Sequence, residues 1–306
     1  MRYSPPDEVS VIVSVYKDVE TLAIVLKGLS RQSVQGFEIV VSEDGEDPSV
    51  SAFLQSVELP VAHVHGPDVG WTKNVALNRA VRRAKGRYLI FLDGDCIPHS
   101  RFVETHMRLA EPGKSVSGRR VDIGPGYARR IRDGQIALAD LERPGWYVAH
   151  YAGLIRDQAR ALEDGFHVRP GGWLHRHVLP RVSRIRGLLG CNFACWKADL
   201  LKINGFDEDY DSPAVGEDTD LEWRFEHIGV TLKSARNMAI VYHFRHPLRF
   251  SGFAGNMAKM RQKMASGRYF CERGITSDPS ARPDQYPAPG GHRRGVSGPV
   301  FPGSAV

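Results

Sequence analysis

The sequence has few cysteines and no long apolar run. It contains four cysteines, Cys96, Cys191, Cys195 and Cys271. One C-x3-C spacing without a second pair argues against a disulfide framework or a zinc site, so we expect reduced structural thiols. The longest apolar stretches, 9–16 and 88–92, are far too short to span a bilayer.

A signal-peptide pattern is also missing. Residues 1–8 carry acids and no apolar core, so we expect a cytoplasmic protein. The formal net charge of +6 favours an anionic partner. No helix-turn-helix, zinc-finger or RNA-binding signature indicates nucleic acid, which leaves phosphorylated small molecules and anionic membrane surfaces. No pattern indicates an oligomeric state.

Strand and helix patterns alternate through the first hundred residues. The strand-like runs are 9–15, 37–41, 61–65 and 88–92. Between the first two, apolar residues at helical spacing form one face: Leu22, Val25, Leu26 and Leu29. Thr72 is placed to cap a later helix, which Gly86 ends. This alternation predicts an α/β fold with a mostly parallel central sheet flanked by helices.

The pattern becomes helical and basic between residues 127 and 187. Helical stretches are predicted over 127–141 and 146–162. The run 169–186 mixes five arginines and two histidines with Trp173 and Leu174. It fits either a solvated face packed on the core or a patch that rests on anionic lipid head groups.

Two carboxylates follow the most strand-like run of the chain. Asp93 and Asp95 come where 88–92 ends, with Gly94 between them. Ligands of open α/β sheets bind outside the carboxyl ends of the strands. Alternate residues of an extended segment point the same way, so both carboxylates could converge on one Mg²⁺ or Mn²⁺ ion while Gly94 lets a ligand approach. The alternative is an ordinary Asp-Gly turn.

Polar residues follow the other predicted strands as well, where one ligand could touch them all. A carboxylate such as Asp44 suits the N–H of uracil and the hydroxyls of ribose. A lysine such as Lys73 would face a diphosphate. Taken singly, each of these residues is equally explained by a turn or a helix surface.

Several segments resemble, in chain order, the family 2 glycosyltransferases. In the first half they are VIVSVYK at 11–17, EIVVSEDG at 38–45, GWTKN at 70–74 and AKGRYLIFLDGD at 84–95. In the second half, GCNFACWK at 190–197, GFDE at 205–208 and GEDTDLEWR at 216–224 are similar to the galactosyltransferase and chondroitin-polymerase branch. The resemblance implies the GT-A fold, a nucleotide-binding sheet with a DxD motif.

The resemblance also implies a role for each matching position. The nucleotide sugar would be held by Val15, Tyr16, Glu43, Asp44, Lys73, Asp93 and Gly94. The divalent cation, Mn²⁺ or Mg²⁺, would be held by Asp95, Asp93 and His243, with His246 a weaker candidate. Asp218 would be the general base, with the catalytic Glu217 beside it. Two positions depart from the family pattern: the first strand ends SVYK instead of a Pro-Thr-Tyr-Asn-like turn, and Lys73 stands where arginine is commoner.

The acidic segment GEDTD also has a purely structural interpretation. It leads into a predicted helix, and acids are favoured at helix N-termini. Asp220 and Glu222 are expected to be structural. One base without a covalent partner would give an in-line displacement, and therefore inversion at the anomeric carbon.

These patterns predict one GT-A domain over 1–277 and a disordered Pro/Gly-rich tail over 278–306. Within the domain they predict a nucleotide-sugar half (9–117), an acceptor and base half with a basic helical insertion (118–250), and a C-terminal helix (251–277).

The expected function is an inverting, metal-dependent transfer from a UDP-sugar to a hydroxyl of a glycan or glycolipid, in polysaccharide biosynthesis. One alternative is a nucleotidyltransferase, although no glycine-rich loop follows the first strand. The other is a non-catalytic module that binds a nucleotide sugar or nucleic acid.

Overall fold

The computed structural model describes residues 4–182, 187–213, 215–246 and 253–276. The strands are β1 (Val9–Val15), β2 (Glu38–Glu43), β3 (Val61–Val64), β4 (Tyr88–Asp93), β5 (Cys96–Pro98), β6 (Lys114–Ser117), β7 (Arg119–Ile123), β8 (Asn192–Trp196), β9 (Thr231–Ser234) and β10 (Ile240–Phe244). The helices are α1 (Val19–Ser30), α2 (Pro48–Ser56), α3 (Lys73–Arg83), α4 (Phe102–Leu109), α5 (Pro125–Arg132), α6 (Leu138–Leu141), α7 (Pro144–Arg156), α8 (Trp173–His177), α9 (Leu179–Val182), α10 (Lys197–Lys202), α11 (Thr219–His227) and α12 (Phe253–Ala265).

The central sheet has seven strands in the order β3-β2-β1-β4-β8-β6-β9. Its first four strands are mutually parallel, and β8 runs antiparallel to both β4 and β6. The mostly parallel sheet predicted from the sequence is confirmed. All loops that leave the four parallel strands therefore meet at one side of the sheet, called here the carboxyl edge, with loop residues 16–18, 44–47, 65–72 and 94–95.

Strand β4 is buried on both faces, as its continuous apolar run predicts. Ile90 faces the core beneath α1, where Leu22 and Leu26 are buried. Phe91 faces the other core with Leu77 of α3 and stacks on Phe193 of β8 at a centroid distance of 4.5 Å. Each fully buried aliphatic side chain contributes about 1.5–3 kcal/mol, so both helix layers hold the strand in register.

A second sheet of three strands, β5-β10-β7, stands beside the carboxyl edge. Strand β5 begins directly after Asp95. Strand β10 pairs antiparallel with β5 and parallel with β7, which places His243 opposite Cys96 on one side and opposite Asp122 on the other. This pairing brings a histidine from the far end of the chain next to the carboxylates that follow β4.

The helical segment between residues 125 and 165 is more broken than its sequence pattern predicts. The helix expected over 127–141 is divided into α5 and α6, because Gly134 adopts a left-handed φ of 71°. The helix expected over 146–162 ends at Arg156, since Gln158 and Ala161 also take positive φ values of 64° and 54°. A short 3-10 turn, Leu162–Gly165, follows.

Two further expectations concern the thiols and the chain ends. All four cysteines are free and buried, as expected of structural thiols. In the part of the chain that the structure describes, no helix is both long and apolar enough to cross a membrane. The tail predicted over 278–306 and part of the basic run, 183–186, lie outside the described residues.

Candidate active site

The turn after β4 sends its two carboxylates in different directions. The N–H of Gly94 donates to the carbonyl of Ser14 at 2.6 Å, and a Cβ at Gly94 would lie 2.8 Å from the same oxygen. Gly94 therefore permits close packing of the turn on β1. The sequence interpretation had instead explained this glycine by the close approach of a ligand. Asp93 turns toward α3, and Asp95 turns toward β10.

Asp95 lies beside two histidines. Its Oδ2 is 3.4 Å from Nε2 of His243 and 3.3 Å from Nε2 of His246. One ligand atom from each of the three residues falls within 4.8 Å of the others, the arrangement of a three-residue metal site. Two imidazole nitrogens with one carboxylate oxygen suit a transition metal such as Mn²⁺ better than Mg²⁺, which favours oxygen ligands. The residues present therefore fit a divalent cation.

Asp122 fixes the orientation of His243. The Nδ1 of His243 bonds to Oδ1 of Asp122 at 2.8 Å, and Nε of Arg120 lies 3.1 Å from the same oxygen. A carboxylate bound to one ring nitrogen leaves the other nitrogen free to face a metal. Burial disfavours the imidazolium, but the bonds to Asp122 and Asp95 raise the pKa of His243 to about 9.

Lys73 joins Asp93 to the segment that leads into α11. Its Nζ lies 2.9 Å from Oδ1 of Asp93 and 2.5 Å from Oε2 of Glu217. Burial works against the ammonium, yet the two carboxylates raise the pKa of Lys73 well above its ordinary value. The lysine expected to face a diphosphate is here held between two acids, one from each half of the protein.

Asp218 is the N-cap of α11, and its carboxyl group has a raised pKa. Its Oδ1 accepts the N–H of Thr219 at 2.6 Å and the hydroxyl of Thr219 at 3.1 Å. Burial and the neighbouring charge of Glu217 raise the pKa of Asp218 to about 7, against the opposing effects of Thr219 and Lys73. A carboxyl with a pKa near 7 is suited to act as a general base at physiological pH.

The two acids in the first turn of α11 have internal partners. Asp220 is fully buried and pairs with Nε of Arg224 at 2.6 Å, while Tyr210 donates its hydroxyl to Asp220 at 2.7 Å. Glu222 accepts the N–H of Leu188 at 2.8 Å. These contacts tie α11 to its surroundings.

Asp44 holds the loop that leads into α3. It accepts the N–H of Thr72 at 3.1 Å and the hydroxyl of Thr72 at 2.5 Å. Thr72 occupies the N-cap position of α3, as predicted, but its side chain bonds to Asp44 and makes no cap hydrogen bond to the helix. Burial raises the pKa of Asp44, although its bonds to Thr72 oppose the shift.

Of the remaining residues predicted to hold the nucleotide, Glu43 and Val15 are buried and Tyr16 is exposed. Glu43 is buried and bonds to His63 and to the N–H of Asp47. Val15 is buried, and its carbonyl accepts the N–H of Asp44. Tyr16, in contrast, is exposed on the carboxyl edge.

Three loops of the carboxyl edge meet beside Tyr16. A Cβ at Gly45 would lie 3.6 Å from Asp68 and 3.8 Å from Tyr16, so residues of the three loops lie within van der Waals distance of one another. The ion pair of Lys17 with Asp68, 2.6 Å long, connects two of them.

The sequence interpretation gave too little weight to one member of the metal cluster and missed the residue that orients another. His246 received less weight than His243, although it lies only two residues beyond the end of β10. Asp122 carried no signal at all, because only the pairing of β7 with β10 places it opposite His243.

A mostly parallel sheet with acids at its carboxyl edge, closed by a small second sheet, is the architecture of the GT-A fold of glycosyltransferases. The family model described as glycosyl transferase family 2 matches residues 10–182, more than half of the chain, and the chain belongs to this family. A second model, described as the N-terminal domain of galactosyltransferase, matches residues 178–247.

Similar proteins agree with this assignment. The chain is 23% identical over 264 residues to chondroitin synthase of Escherichia coli, covering 79% of this chain and 35% of that protein. It is 29% identical over 101 residues to hyaluronan synthase of Pasteurella multocida, covering 32% of this chain and 10% of that protein. The chain thus spans about a third, or less, of the length of these relatives.

Solved structures share the fold at low sequence identity. GalNAc-T7 with UDP, GalNAc and Mn²⁺ superposes with a TM-score of 0.57 at 12% identity, covering 83% of this chain and 47% of that chain. A mannosyltransferase from Pyrobaculum calidifontis, in complex with GDP-Man and Mn²⁺, gives 0.53 at 16% identity, covering 87% and 64%.

Proposed function

We propose that the protein is an inverting, metal-dependent glycosyltransferase that moves a sugar from a UDP-sugar to a hydroxyl of a glycan or glycolipid. The observation that carries this proposal is one continuous arrangement at the carboxyl edge. Asp95, which forms the metal cluster with His243 and His246, lies in the same turn after β4 as Asp93. Lys73 connects Asp93 to Glu217, which is next to Asp218.

Each part of this arrangement has a separate task. A cation held by Asp95, His243 and His246 would stabilise the negative charge of the departing nucleotide diphosphate. Asp218 accepts the proton of the acceptor hydroxyl. At the same time the hydroxyl oxygen bonds to the anomeric carbon, and the bond between that carbon and the phosphate oxygen of the donor breaks. Glu217 is paired with Lys73 and positions the lysine. With one base and no covalent intermediate, the single displacement inverts the anomeric centre.

The choice of uridine as the donor base rests on Tyr16 and Asp44. Tyr16 offers an exposed ring on the carboxyl edge. An ionised carboxylate has about four lone-pair sites, so Asp44 retains acceptor capacity for a uracil N–H after its bonds to Thr72. We include Val15, Glu43 and Gly94 in the donor site as residues that position the neighbouring loops.

The proposal predicts that UDP together with Mn²⁺ raises the melting temperature by roughly 5–10 °C at about 100 times the dissociation constant. GDP with Mn²⁺, ATP with Mg²⁺ and an oligonucleotide should give smaller shifts. The measurement is a thermal-shift screen, followed by donor hydrolysis with and without Mn²⁺. Stabilisation only by ATP would favour a nucleotidyltransferase, and stabilisation only by the oligonucleotide would favour a nucleic-acid binding module. UDP binding without hydrolysis or transfer would favour a non-catalytic module.

A second part of the proposal is peripheral contact with an anionic membrane. Trp173 is 68% exposed and Leu174 50% exposed, although neighbouring Val168 and Leu179 pack on the core. Residues 165–182 contain no acid. The exposed arginines beside the two apolar side chains are Arg169, Arg176 and Arg181. Apolar and aromatic side chains among cations match the boundary between head groups and acyl chains.

Replacing Trp173 and Leu174 together by serine is expected to lower binding to phosphatidylglycerol-containing vesicles by about tenfold or more, because both apolar contacts are lost. Co-sedimentation measures the bound fraction. Val148→Ser is the matched control, since Val148 is a similarly exposed apolar residue on α7. Equal binding to pure phosphatidylcholine vesicles, or unchanged binding by the double variant, would contradict the contact.

A further inference from the structure

A groove of about 850 Å³ lies between the loop before α3, the segment 208–211 and α12. Its volume falls within the usual range of small-molecule sites, roughly 300–1,000 Å³. None of the residues assigned above to the donor or the metal ion lines it, apart from Thr72, which supports Asp44.

The walls of this groove are continuous with the candidate active site around Lys73 and Asp218. Thr72 lines it and immediately precedes Lys73. On the opposite wall Tyr210 packs so closely on Gly216 that a Cβ there would lie 2.4 Å from the ring. The hydroxyl of Tyr210 is bonded to Asp220, two residues after Asp218. The groove therefore begins beside the two segments that carry Lys73 and Asp218.

The charges of the groove are matched within the protein. Its four cationic side chains are each paired with a carboxylate: Lys259 with Asp211, Lys263 with Asp207 and Asp209, Arg268 with Glu272, and Arg273 with Asp209. Lys263 and Asp207 are largely buried, so an anionic ligand could bind Lys263 only by breaking a desolvated pair at considerable cost. The other three pairs are more exposed, and in each of them a carboxylate already neutralises the cation. The groove thus suits an uncharged ligand with many hydroxyls, which donate to carboxylates and accept from ammonium groups.

Trp71 supplies the apolar surface that such a ligand needs. It is half-buried, lines the groove and packs beside Tyr210, Met257 and Met260. A flat ring in a polar groove covers the apolar face of a pyranose while the sugar hydroxyls reach the charged rim.

We propose that this groove binds the acceptor as an uncharged saccharide stacked on Trp71, an inference that rests on the proposed function. The groove leads the terminal hydroxyl of the saccharide to Asp218, and α12 holds the units further from the reaction. Acceptor choice is then set by the loop 69–72 and by α12.

Four proteins test this inference: the wild type, Trp71→Phe, Trp71→Ala and Gln262→Trp. Gln262 is an exposed groove residue of α12, so a tryptophan there blocks the groove without disturbing the core. The fluorescently labelled proteins are applied, with UDP and MnCl₂, to an array of neutral and anionic glycans. The wild type and Trp71→Phe are expected to bind neutral glycans, and the other two variants to lose about tenfold or more of this affinity. Val148→Ala, which removes an exposed apolar side chain of α7 outside the groove, should bind as the wild type does.

The two proposals fail in different ways. Binding that neither Trp71→Ala nor Gln262→Trp reduces, binding restricted to uronate- or sulfate-bearing glycans, or no glycan binding by the wild type would overturn the groove assignment. A thermal shift with UDP and Mn²⁺ is recorded for every protein in parallel. All variants are expected to keep it, and its absence in the wild type would overturn the proposed function instead.

Discussion

Asp218→Asn is expected to reduce sugar transfer by about 100- to 10,000-fold while the protein stays folded. Asparagine has the shape of aspartate but cannot take up the proton of the acceptor hydroxyl. Its side-chain oxygen can still accept the N–H of Thr219, so the N-cap of α11 is preserved. The rate of transfer from the donor identified by the thermal screen, together with the melting temperature, measures both expectations.

The matched control is Glu222→Gln, in the same first turn of α11. Glu222 accepts a backbone N–H of Leu188, and glutamine can keep this bond. We expect its transfer rate to remain within a few-fold of the wild type. If Asp218→Asn retained most of its activity, or if Glu222→Gln lost as much, the base would have to lie elsewhere.

The same carboxyl predicts a pH dependence. Because burial raises the pKa of Asp218 to about 7, the proton-accepting form dominates only above this pH. The specificity constant kcat/KM should therefore rise with pH through about 7 and then level off. The free energy of unfolding depends on pH in the opposite direction. The folded state binds the Asp218 proton more tightly than the unfolded state, so the stabilisation that this proton provides is lost as pH rises from about 4 to about 7. Asp218→Asn should remove that part of the slope in melting temperature against pH.

The fold was predictable from the sequence wherever local patterns decide it. The uninterrupted apolar run that ends at Leu92 predicted a strand covered on both faces, and the helical spacing of Leu22 and Leu26 predicted the layer above it. The broken helices between residues 125 and 165 were missed, because left-handed residues such as Ala161 are selected by tertiary packing and not by residue type.

The site was predictable only in part, since its geometry depends on distant pairings. The carboxylates of Asp93 and Asp95 were expected to converge on one metal ion, because alternate residues of an extended segment point the same way. The chain turns at Gly94 and Asp95 before β5 begins, so the two carboxylates separate. The placement of His243 and His246 beside Asp95, and of Asp122 beside His243, depends on the register of β5, β10 and β7, which no local signal encodes.

Asp95→Ala is expected to abolish the Mn²⁺ dependence of UDP binding and to lower transfer by about 1,000-fold or more. Asp95 is the carboxylate of the cluster, and its two histidines lower its pKa against the effect of burial, which keeps it ionised. Alanine would leave two imidazoles without an anionic ligand. Direct Mn²⁺ titration by electron paramagnetic resonance measures the loss independently of activity. Glu46→Ala is the control, because Glu46 is an exposed acid of the same carboxyl edge outside the cluster.

Asp122→Asn should give an intermediate result that separates ligation from orientation. Asparagine can still accept the N–H of His243 but no longer carries the charge that strengthens the imidazole as a ligand. We expect Mn²⁺ affinity to fall by about 10- to 100-fold, with transfer restored at high Mn²⁺ concentration. Asp95→Ala should not be restored in this way. If both variants bound Mn²⁺ as tightly as the wild type, the cluster would not be the metal site, because a true ligand and the group that orients its neighbour cannot both be dispensable.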